Sequence, residues 1–373
     1  MNSKEGFLAL NLLPGIGPIR VRRLLAHFDS PEKILLASQS ELCRVSGIGR
    51  EMAELISDWE SSVDIIEEQR RMKEHGISLL TLEDESYPPA LREIHDPPFL
   101  LYIKGDIRPS DAAALGVVGS RRTTHYGKEQ ARKLSFQLAR AGFCIISGLA
   151  RGIDTAAHEG ALAAEGRTIA VLGSGIGNIY PPENAALADK IAENGAVISE
   201  FPVLYVPDKQ SFPLRNRIVS GMSQGLLVVE APARSGSLIT ANQALEQGRA
   251  VFAVPGPIDR PTSEGCNRLI RQGATLVCSA RDIIEDLANE LNSLPLEMSQ
   301  PAHAAPKATP KREVSLSDLE KKILAQLEQG EATIDKLAEA LEQPASTVSV
   351  SLLQLEMKSL VKQLPGKYFT KLI

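Results

Sequence analysis

The chain has 373 residues. This exceeds the size at which one hydrophobic core usually suffices, so two or three domains are expected. Hydrophobic residues make up 43% of the sequence and charged residues 23%, as is typical of a soluble protein. The formal net charge of −5 excludes a wholesale polycation of the histone type, although it leaves room for a local basic groove.

Two features of the sequence bear on the cellular compartment. No apolar stretch reaches about 18 residues and the N-terminus is polar, so neither a membrane span nor a signal peptide is predicted. The cysteines form neither a CxxC pair nor a zinc spacing with histidine: Cys43, Cys144, Cys266 and Cys278. Cys144 lies in an apolar stretch, which predicts a buried free thiol and a reducing, cytoplasmic environment.

Residues 1–80 are predicted to form a domain of short amphipathic helices around two similar hairpins, at 12–18 and 45–50. Each hairpin contains Gly-Ile-Gly, the helix-hairpin-helix pattern, in which glycine lets backbone N–H groups approach a DNA phosphate. The alternative is that each glycine only turns the chain tightly. Nearby positive charge comes from four arginines alone: Arg20, Arg22, Arg23 and Arg50.

Residues 81–293 are predicted to form a parallel α/β domain, because short apolar strands alternate with helical stretches. The predicted strands are 115–118, 143–146, 168–172, 196–199, 226–230 and 251–254, and the helices are 127–140, 153–165, 183–193, 214–223 and 238–247. A glycine just past a helix favours a left-handed cap at four places: Gly142, Gly166, Gly195 and Gly248. The fold class is therefore α/β, a Rossmann-like doubly wound parallel sheet.

The C-terminal part divides into a linker and a small domain. Residues 294–314 are rich in proline and alanine and are predicted to be a disordered linker. Residues 315–373 show helices at 316–327, 334–341 and 347–357 followed by a short β-hairpin, which predicts a winged-helix domain. The helix in the recognition position, 347–357, contains no lysine or arginine, so a protein contact stays open beside duplex DNA reading.

Small polar residues and arginine follow the predicted strands, where an open parallel sheet binds its ligands. They are Gly119, Ser120 and Arg121 after the first strand, Ser147 and Gly148 at the second, Gly173 and Ser174 after the third, and Ser235, Gly236 and Ser237 in a later loop. Glycine lets the backbone come close to a ligand, serine adds a hydroxyl donor, and arginine can fork two N–H groups onto one phosphate. These loops predict a phosphate site, although Ser235 or Ser237 could simply cap a helix.

A basic segment with one aromatic residue precedes the helix at 214–223. It contains Lys209, Phe212, Arg215, Asn216 and Arg217. A positive loop with an aromatic ring suits single-stranded nucleic acid, because the cations meet phosphates while the ring stacks on a base. Alternatively, Phe212 packs in the core ahead of a helix whose arginines are surface charges.

No cofactor site is predicted. The stretch 173–178 resembles the dinucleotide fingerprint, but Asn178 stands where the last glycine is needed, and Pro181 and Pro182 prevent a helix from starting at once. The sequence contains no Walker-type phosphate loop and no cluster of residues at metal-ligand spacing.

Catalytic chemistry has two candidate sources in the sequence. Asp154 and His158 are four residues apart and could form an acid–base pair, or Asp154 could cap a helix while His158 packs locally. Glu200 and Glu230 end strands and could face the ligand cleft. A nucleotide-processing enzyme, such as a nucleotide N-glycosidase, is therefore the alternative to a binding protein.

Six motifs appear in order along the α/β domain: Gly119-Ser120-Arg121 and the stretches 147–154, 180–184, 212–217, 235–240 and 265–267. At these residues the chain resembles the DprA/Smf family of DNA-processing proteins. The flanks are similar too, with a SAM-like helical domain before the motifs and a winged helix after them. The resemblance covers nearly the whole chain.

The resemblance implies a binding protein without catalysis or cofactor. Members of the family bind single-stranded DNA taken up during natural transformation, protect it and help to load the RecA recombinase. Their extended Rossmann-like domain holds the strand and forms a homodimer. The resemblance places Arg121, Lys209, Phe212, Asn216 and Arg217 in the DNA-holding pocket. A sequence-specific transcription regulator is a third hypothesis, resting on the winged helix alone.

Overall fold

The computed structural model describes residues 1–292 and, beyond them, 318–327, 332–341, 343–344, 347–348, 351–352, 355, 360–364 and 368–371. The predicted linker at 294–314 and most of the predicted helix at 347–357 lie outside the described residues. The chain divides into two compact units, Met1–Glu297 and Met298–Ile373. Within the described residues, every helix is too short or too polar to cross a bilayer.

The first unit begins with a bundle of short helices. These are α1 (Ser3–Leu12), α2 (Pro18–Phe28), α3 (Pro31–Leu36), α4 (Gln39–Leu42), α5 (Arg50–Ser57), α6 (Trp59–Ser62) and α7 (Ile65–His75). The two glycine hairpins lead into α2 and α5. Gly15 and Gly47 adopt φ values of 78° and 87°, which side chains rarely tolerate, so glycine is required for these turns. The helix-hairpin-helix prediction is confirmed.

A nine-stranded sheet follows the helical bundle. Its strands are β1 (Ser78–Thr81), β2 (Leu100–Gly105), β3 (Ala114–Val118), β4 (Cys144–Ser147), β5 (Thr168–Leu172), β6 (Gly195–Ser199), β7 (Gly225–Val228), β8 (Ala250–Ala253) and β9 (Thr275–Leu276). Their spatial order is β1-β2-β6-β5-β4-β3-β7-β8-β9. The pairs from β6 to β9 are parallel, whereas β1 and β2 add an antiparallel edge. The doubly wound fold class is confirmed.

Helices cover both faces of this sheet. They are α8 (Pro89–Arg92), α9 (His125–Arg140), α10 (Ile153–Ala163), α11 (Ala185–Glu193), α12 (Ser211–Gly221), α13 (Gly236–Glu246), α14 (Glu264–Arg271) and α15 (Ala280–Asn292). Side chains alternate along a strand, so Leu115 and Val117 pack towards α9 and α10 while Val118 packs towards α12 and α13. Cys144 is buried and free, as predicted.

The predicted glycine caps are correct at two of four helix ends. Gly142 and Gly248 adopt φ values of 99° and 70°, as a left-handed cap requires. At the end of α10, Glu165 takes the left-handed conformation with φ of 55°, so the prediction for Gly166 was wrong. Gly195 instead begins β6, where a Cβ atom would overlap the carbonyl oxygen of Thr168 on β5.

The helical bundle packs on one end of the sheet domain. Apolar residues of the bundle, such as Phe7, share a core with Phe99 and Leu172 of the sheet domain. The buried carboxylate of Glu68 on α7 accepts the backbone N–H of Val203 at 2.7 Å. Val203 lies in the segment that connects β6 to α12, so the bundle fixes the segment that carries Lys209.

The second unit has the elements of a winged helix. The described elements are α16 (Asp318–Leu327), β10 (Ala332–Thr333), α17 (Ile334–Leu341), β11 (Val361–Leu364) and β12 (Tyr368–Lys371). The three strands form an antiparallel sheet in the order β10-β12-β11. Within the predicted helix at 347–357, Val348, Leu352 and Leu355 are buried in the core of this unit. The winged-helix prediction is confirmed.

Candidate nucleic-acid interface

A cleft of about 730 Å³ lies beyond the carboxyl ends of β3 and β7. The strand order reverses between these two strands, and the crevice at such a switch point is where doubly wound sheets bind ligands. Most of the predicted site residues line this cleft: Gly119, Ser120, Arg121, Lys209, Phe212, Arg215, Asn216, Ser235, Gly236 and Ser237. The fold therefore brings together three loops that are far apart in sequence.

Arg121 and Phe212 form a stacked pair at the cleft. The Arg121 Cζ atom lies 4.6 Å from the centroid of the Phe212 ring, within the range of a cation–π contact. The Tyr180 ring packs against Phe212 with centroids 5.8 Å apart. A Cβ atom at Gly173 would come 2.9 Å from Phe212 Cδ1, so the absence of a side chain makes room for this ring. Phe212 is half-buried and supports the exposed Arg121 guanidinium.

Arg215 forms part of the cleft floor. Its side chain is only 4% exposed, and it donates hydrogen bonds to the carbonyl oxygens of Gly148, at 2.6 Å, and of Val171. The guanidinium fills the space that a Cβ atom at Gly148 would need. Burial lowers the pKa of Arg215 to about 10 although Asp154 lies close by, so the side chain stays protonated at neutral pH. Arg215 therefore holds two strand-end loops together and keeps the floor positive.

The serine loops are organised by local hydrogen bonds. Ser120 donates its N–H to the Glu230 carbonyl oxygen at 2.7 Å, and its hydroxyl oxygen accepts the Arg122 N–H at 3.1 Å. Ser235 is the N-cap of α13, and its hydroxyl oxygen accepts the Ser237 N–H at 3.3 Å. The capping interpretation of Ser235 is confirmed, and these hydroxyls shape the loops.

The cleft carries an excess of positive charge. Exposed cationic side chains stand on three loops: Arg121 and Arg122 after β3, Lys209 before α12 and Arg234 before α13. Among the described residues that line the cleft, Asp154 is the one acidic residue, and its carboxylate is buried. Asp154 accepts backbone N–H groups of Gly148 and Ala150 at 3.2 and 3.4 Å. The exposed charge of the cleft is therefore suited to a polyanion.

Four of the predicted residues lie beneath or beside the cleft. Gly148 and Gly173 line a small recess that adjoins Arg121 and Phe212. Ser147 is fully buried and donates its hydroxyl to the Val117 carbonyl oxygen at 2.6 Å. Ser174 is 1% exposed. Ser147 and Ser174 are therefore buried at the strand ends and do not line the cleft.

Arg217 is not brought into the cleft. It is 4% exposed, donates to both Glu200 carboxylate oxygens at 2.7 and 2.8 Å, and places Nε 3.0 Å from Asp96 Oδ2. It lines a different cavity, of about 490 Å³, with Gln243 and Gln247. Successive side chains on a helix point about 100° apart, so Asn216 can line the cleft while Arg217 does not. The structure thus removes Arg217 from the cleft residues that the sequence predicted.

The Asp154–His158 pair does not have the geometry of an acid–base dyad. His158 is fully buried, and its Nδ1 lies 2.7 Å from the hydroxyl oxygen of Thr168 rather than beside Asp154. Burial lowers the pKa of His158 to about 3, so the imidazole is neutral at neutral pH. The interpretation in which His158 packs and bonds locally is therefore favoured.

The strand-end carboxylates are also engaged within the protein. Glu230 is 4% exposed and accepts the backbone N–H of Thr124 at 2.8 Å and the hydroxyl of Thr123, which fixes the start of α9. Glu200 is bound by Arg217, as described above. Neither carboxylate lines the cleft. The pair on which the glycosidase hypothesis rested is thus committed to other bonds.

Several residues that line the cleft were not predicted as site residues, among them Arg122, Arg234 and Thr262. The two arginines are next to predicted site residues in strand-end loops, so they could have been predicted from their position in the sequence. Thr262 comes from the segment before α14, and its position depends on how that helix packs against β8. No local signal in the sequence marks it.

The glycine hairpins of the helical bundle use their arginines differently. Arg20 donates to the Gly15 carbonyl oxygen at 2.6 Å and Arg23 to the Ser46 carbonyl oxygen at 3.1 Å. Arg22 donates to the carbonyl oxygen of His95 at 2.8 Å. Three of the four nearby arginines therefore bond the protein's own backbone, which favours the interpretation that these hairpins are structural turns.

Family models match three parts of the chain. Residues 78–288 match the family described as "DNA recombination-mediator protein A". Residues 304–367 match the "DprA winged helix domain", and residues 7–58 match the "SAM-like Helix-hairpin-helix tandem".

Three known proteins show how far the similarity extends. Protein Smf of Synechocystis sp. is 36% identical over 99% of this chain and 99% of its own length. The X-ray structure of DNA processing protein A from Streptococcus pneumoniae has a TM-score of 0.68 at 34% identity, covering 75% of this chain and 97% of that one. The DNA processing protein A of Helicobacter pylori, whose structure is described as giving insight into a single-stranded DNA binding mode, has a TM-score of 0.52 at 32% identity, covering 58% and 98%. The chain belongs to the DprA/Smf family of DNA-processing, recombination-mediator proteins.

Proposed function

We propose that this chain binds single-stranded DNA in the cleft and performs no catalysis there. The observation that carries the proposal is the Arg121–Phe212 stack at the switch point, with Lys209 on the neighbouring loop. A guanidinium held over an aromatic ring offers a cationic group to an unstacked base or a phosphate, while Lys209 meets the backbone. The Helicobacter pylori relative is described as binding single-stranded DNA, which supports the same ligand here.

Direct binding measurements test this proposal. Oligo-dT and a duplex of equal length are compared by filter binding at two salt concentrations. We expect tighter binding of the single strand than of the duplex. The logarithm of the binding constant should fall by about 0.7 for each neutralised phosphate when the salt concentration rises tenfold. Equal affinity for the two ligands, or an affinity independent of salt, would contradict the proposal.

The recombination role is the second part of the proposal. As a member of its family, this chain would protect incoming DNA and help to load RecA onto it in the cytoplasm, during natural transformation and homologous recombination. RecA ATPase activity on DNA already coated with a single-strand-binding protein is the readout. We expect the chain to shorten the lag before ATP hydrolysis. An unchanged lag, with DNA binding intact, would remove RecA from its partners.

We also propose a homodimer formed through the Rossmann-like domain. The sheet ends at β9, a two-residue strand with an open edge, and Leu276 on this strand is 46% exposed. Ile258, in the segment after β8, is 99% exposed. Light scattering behind a sizing column gives the mass in solution. A monomer at micromolar concentration would contradict this part of the proposal.

The enzymatic alternative is tested separately. The chain is incubated with a panel of nucleoside monophosphates, and release of free base is followed by chromatography. We expect no release, because Glu200 and Glu230 are bound to Arg217 and to the start of α9. Release of base that is lost in Glu230→Gln would overturn the non-enzymatic proposal.

A further inference from the structure

A second recess opens beside the cleft. It has a volume of about 510 Å³ and lies between the first turns of α9 and α10. It shares Arg121 and Arg122 with the cleft and adds Lys128 and Arg151. All four side chains are exposed. The positive surface of the cleft therefore continues past Arg121 without interruption.

The cations of this recess differ in their partners. Arg151 pairs with Glu183, and Arg132 pairs with Glu129 and Glu159 at 3.0 and 2.6 Å. Within the described part of the chain, neither Arg122 nor Lys128 has an ion-pair partner, although the protein is acidic as a whole. Besides Arg121, which lies over the Phe212 ring, Arg122 and Lys128 are thus the uncompensated charges of the recess.

The recess and the cleft are held in a fixed relation by the backbone. Gly152, the N-cap of α10, adopts a φ of 83°, and a Cβ atom there would overlap the carbonyl oxygen of Ser120. The Ile153 N–H donates to that same carbonyl oxygen at 3.3 Å. The start of α10 therefore packs directly on the loop that carries Arg121 and Arg122. A ligand that bridges the two cavities would meet one preformed surface.

From these observations we propose that the recess is a second phosphate-binding subsite for the same DNA strand. Arg122 and Lys128 hold phosphates of the nucleotides that leave the cleft past Arg121. The inference rests on the proposed function and deepens it. It makes affinity depend on DNA length, because only a strand longer than the cleft reaches the recess.

The test combines a neutralising variant with a series of DNA lengths. Lys128→Gln removes a charge that lines the recess and not the cleft, while keeping a side chain of similar size. Arg122 also lines the cleft and is therefore left in place. Lys73→Gln is the matched control, because it removes one exposed charge on α7 that lines neither cavity. Oligo-dT is varied from about 4 to about 24 nucleotides, which brackets the usual site sizes for single strands. Equal melting temperatures show that all variants are folded.

We expect the recess variant to match the wild type on the shortest oligomers that bind. On long oligomers it should bind about tenfold more weakly, with a salt slope reduced by roughly 0.7 for each phosphate that the variant no longer neutralises. The control should follow the wild type at every length. An equal loss of affinity at all lengths, a loss matched by the control, or an unchanged affinity for long oligomers would overturn the subsite.

Two further outcomes separate the possible causes of failure. If the wild type binds no oligo-dT at any length, the proposed function fails and the subsite with it. If the wild type binds and inorganic phosphate, replacing chloride at constant ionic strength, weakens long oligomers equally in the wild type and the recess variant, the recess holds no phosphate group and the subsite is overturned. A larger weakening in the wild type, through competition for the recess, supports the subsite.

Discussion

The glycine hairpins of the helical bundle and the glycine loops of the cleft are built from the same residue types, yet they use arginine in opposite ways. In the hairpins, Arg20 and Arg23 donate to carbonyl oxygens of the turns themselves. At the cleft, Arg121 lies against the Phe212 ring, while Arg122 has no ion-pair partner among the described residues. A ring leaves the N–H groups of a guanidinium available to a ligand, whereas a carbonyl oxygen occupies one.

The difference shows that glycine next to arginine does not by itself predict a phosphate site. What matters is whether the local backbone presents carbonyl oxygens to the arginine. A hairpin between two helices presents carbonyl oxygens of its own turn, and Arg20 donates to one of them, that of Gly15. A loop after a parallel strand enters the next helix at once, and the N–H groups at that helix start attract anions instead.

The largest expected effect concerns an arginine that has entirely internal partners. Arg217→Ala leaves Glu200 and Asp96 without their counter-charge, and breaking a buried pair typically lowers the free energy of unfolding by about 3–5 kcal/mol. Urea denaturation followed by circular dichroism measures this loss. Because Arg217 lies outside the cleft, the DNA affinity of the folded protein should change by less than about threefold. This is well below the tenfold change that about 1.4 kcal/mol of binding free energy would cause.

Arg217→Met combined with Glu200→Gln is the matched control. It removes both members of the main pair, so it should unfold less readily than Arg217→Ala. A variant of Arg217 that keeps its stability but loses DNA binding would restore this residue to the interface and remove the distinction between internal and available arginines.

The second effect concerns the arginine that remains available. Arg121→Ala should weaken oligo-dT binding by about 1.5–3 kcal/mol, the usual contribution of a hydrogen bond to a charged group. Arg121→Lys keeps the charge but loses the guanidinium that lies over Phe212, so its affinity should fall between those of the wild type and the alanine variant. Fluorescence anisotropy at constant salt gives the three affinities. Identical affinities of the wild type and Arg121→Lys would show that only the positive charge at residue 121 matters, and not the contact of the guanidinium with Phe212.

The sequence predicts the interior of the fold better than its edges. The parallel strands from β3 to β8 are each predicted within about two residues, because a strand buried on both faces reads as a short apolar run. The antiparallel edge strands β1 and β2 were not among the predicted strands. β2 pairs with β6 and β1 with β2, and residues of both strands pack against the helical bundle, a contact that their own residue pattern does not indicate. The two-residue strand β9 is too short to carry any periodicity.

The position of the cleft could be predicted from the sequence for a related reason, whereas the orientation of each side chain could not. Topology alone brings strand-end loops to one edge of the sheet, so Arg121, Ser235 and Lys209 could be grouped from the sequence. The orientation of Arg217 depends on Glu200 and Asp96, which approach it only in three dimensions. Helical phase within one turn therefore decided which side chains reach the cleft.

A third effect, spread over several pH units, tests whether the buried histidine of α10 serves the fold alone. The folded-state pKa of His158, about 3, lies well below its ordinary value of 6.5, so the unfolded chain binds a proton that the folded protein does not. Stability from this group is complete above pH 6.5 and is lost as pH falls towards 3, at up to about 1.4 kcal/mol per pH unit. In His158→Asn, the dependence of the free energy of unfolding on pH that arises from this histidine should vanish. Urea titrations at several pH values between 3 and 6.5 measure it. An unchanged slope would mean that the imidazole charges without unfolding the protein.

The smallest effect falls on the hairpins and tests the two uses of arginine most directly. Arg20→Ala with Arg23→Ala removes three bonds to turn carbonyl oxygens, each worth about 1 kcal/mol of stability. The affinity for oligo-dT should stay within about twofold of the wild type, because these guanidinium groups already have partners in the protein. Lys33→Ala with Lys73→Ala is the matched control, since it removes two positive charges from the same bundle outside both hairpins and without touching those bonds. If Arg20→Ala with Arg23→Ala weakened DNA binding as much as Arg121→Ala while the control did not, the hairpins would hold DNA as well. Arginines bonded to turn carbonyl oxygens would then serve two roles at once.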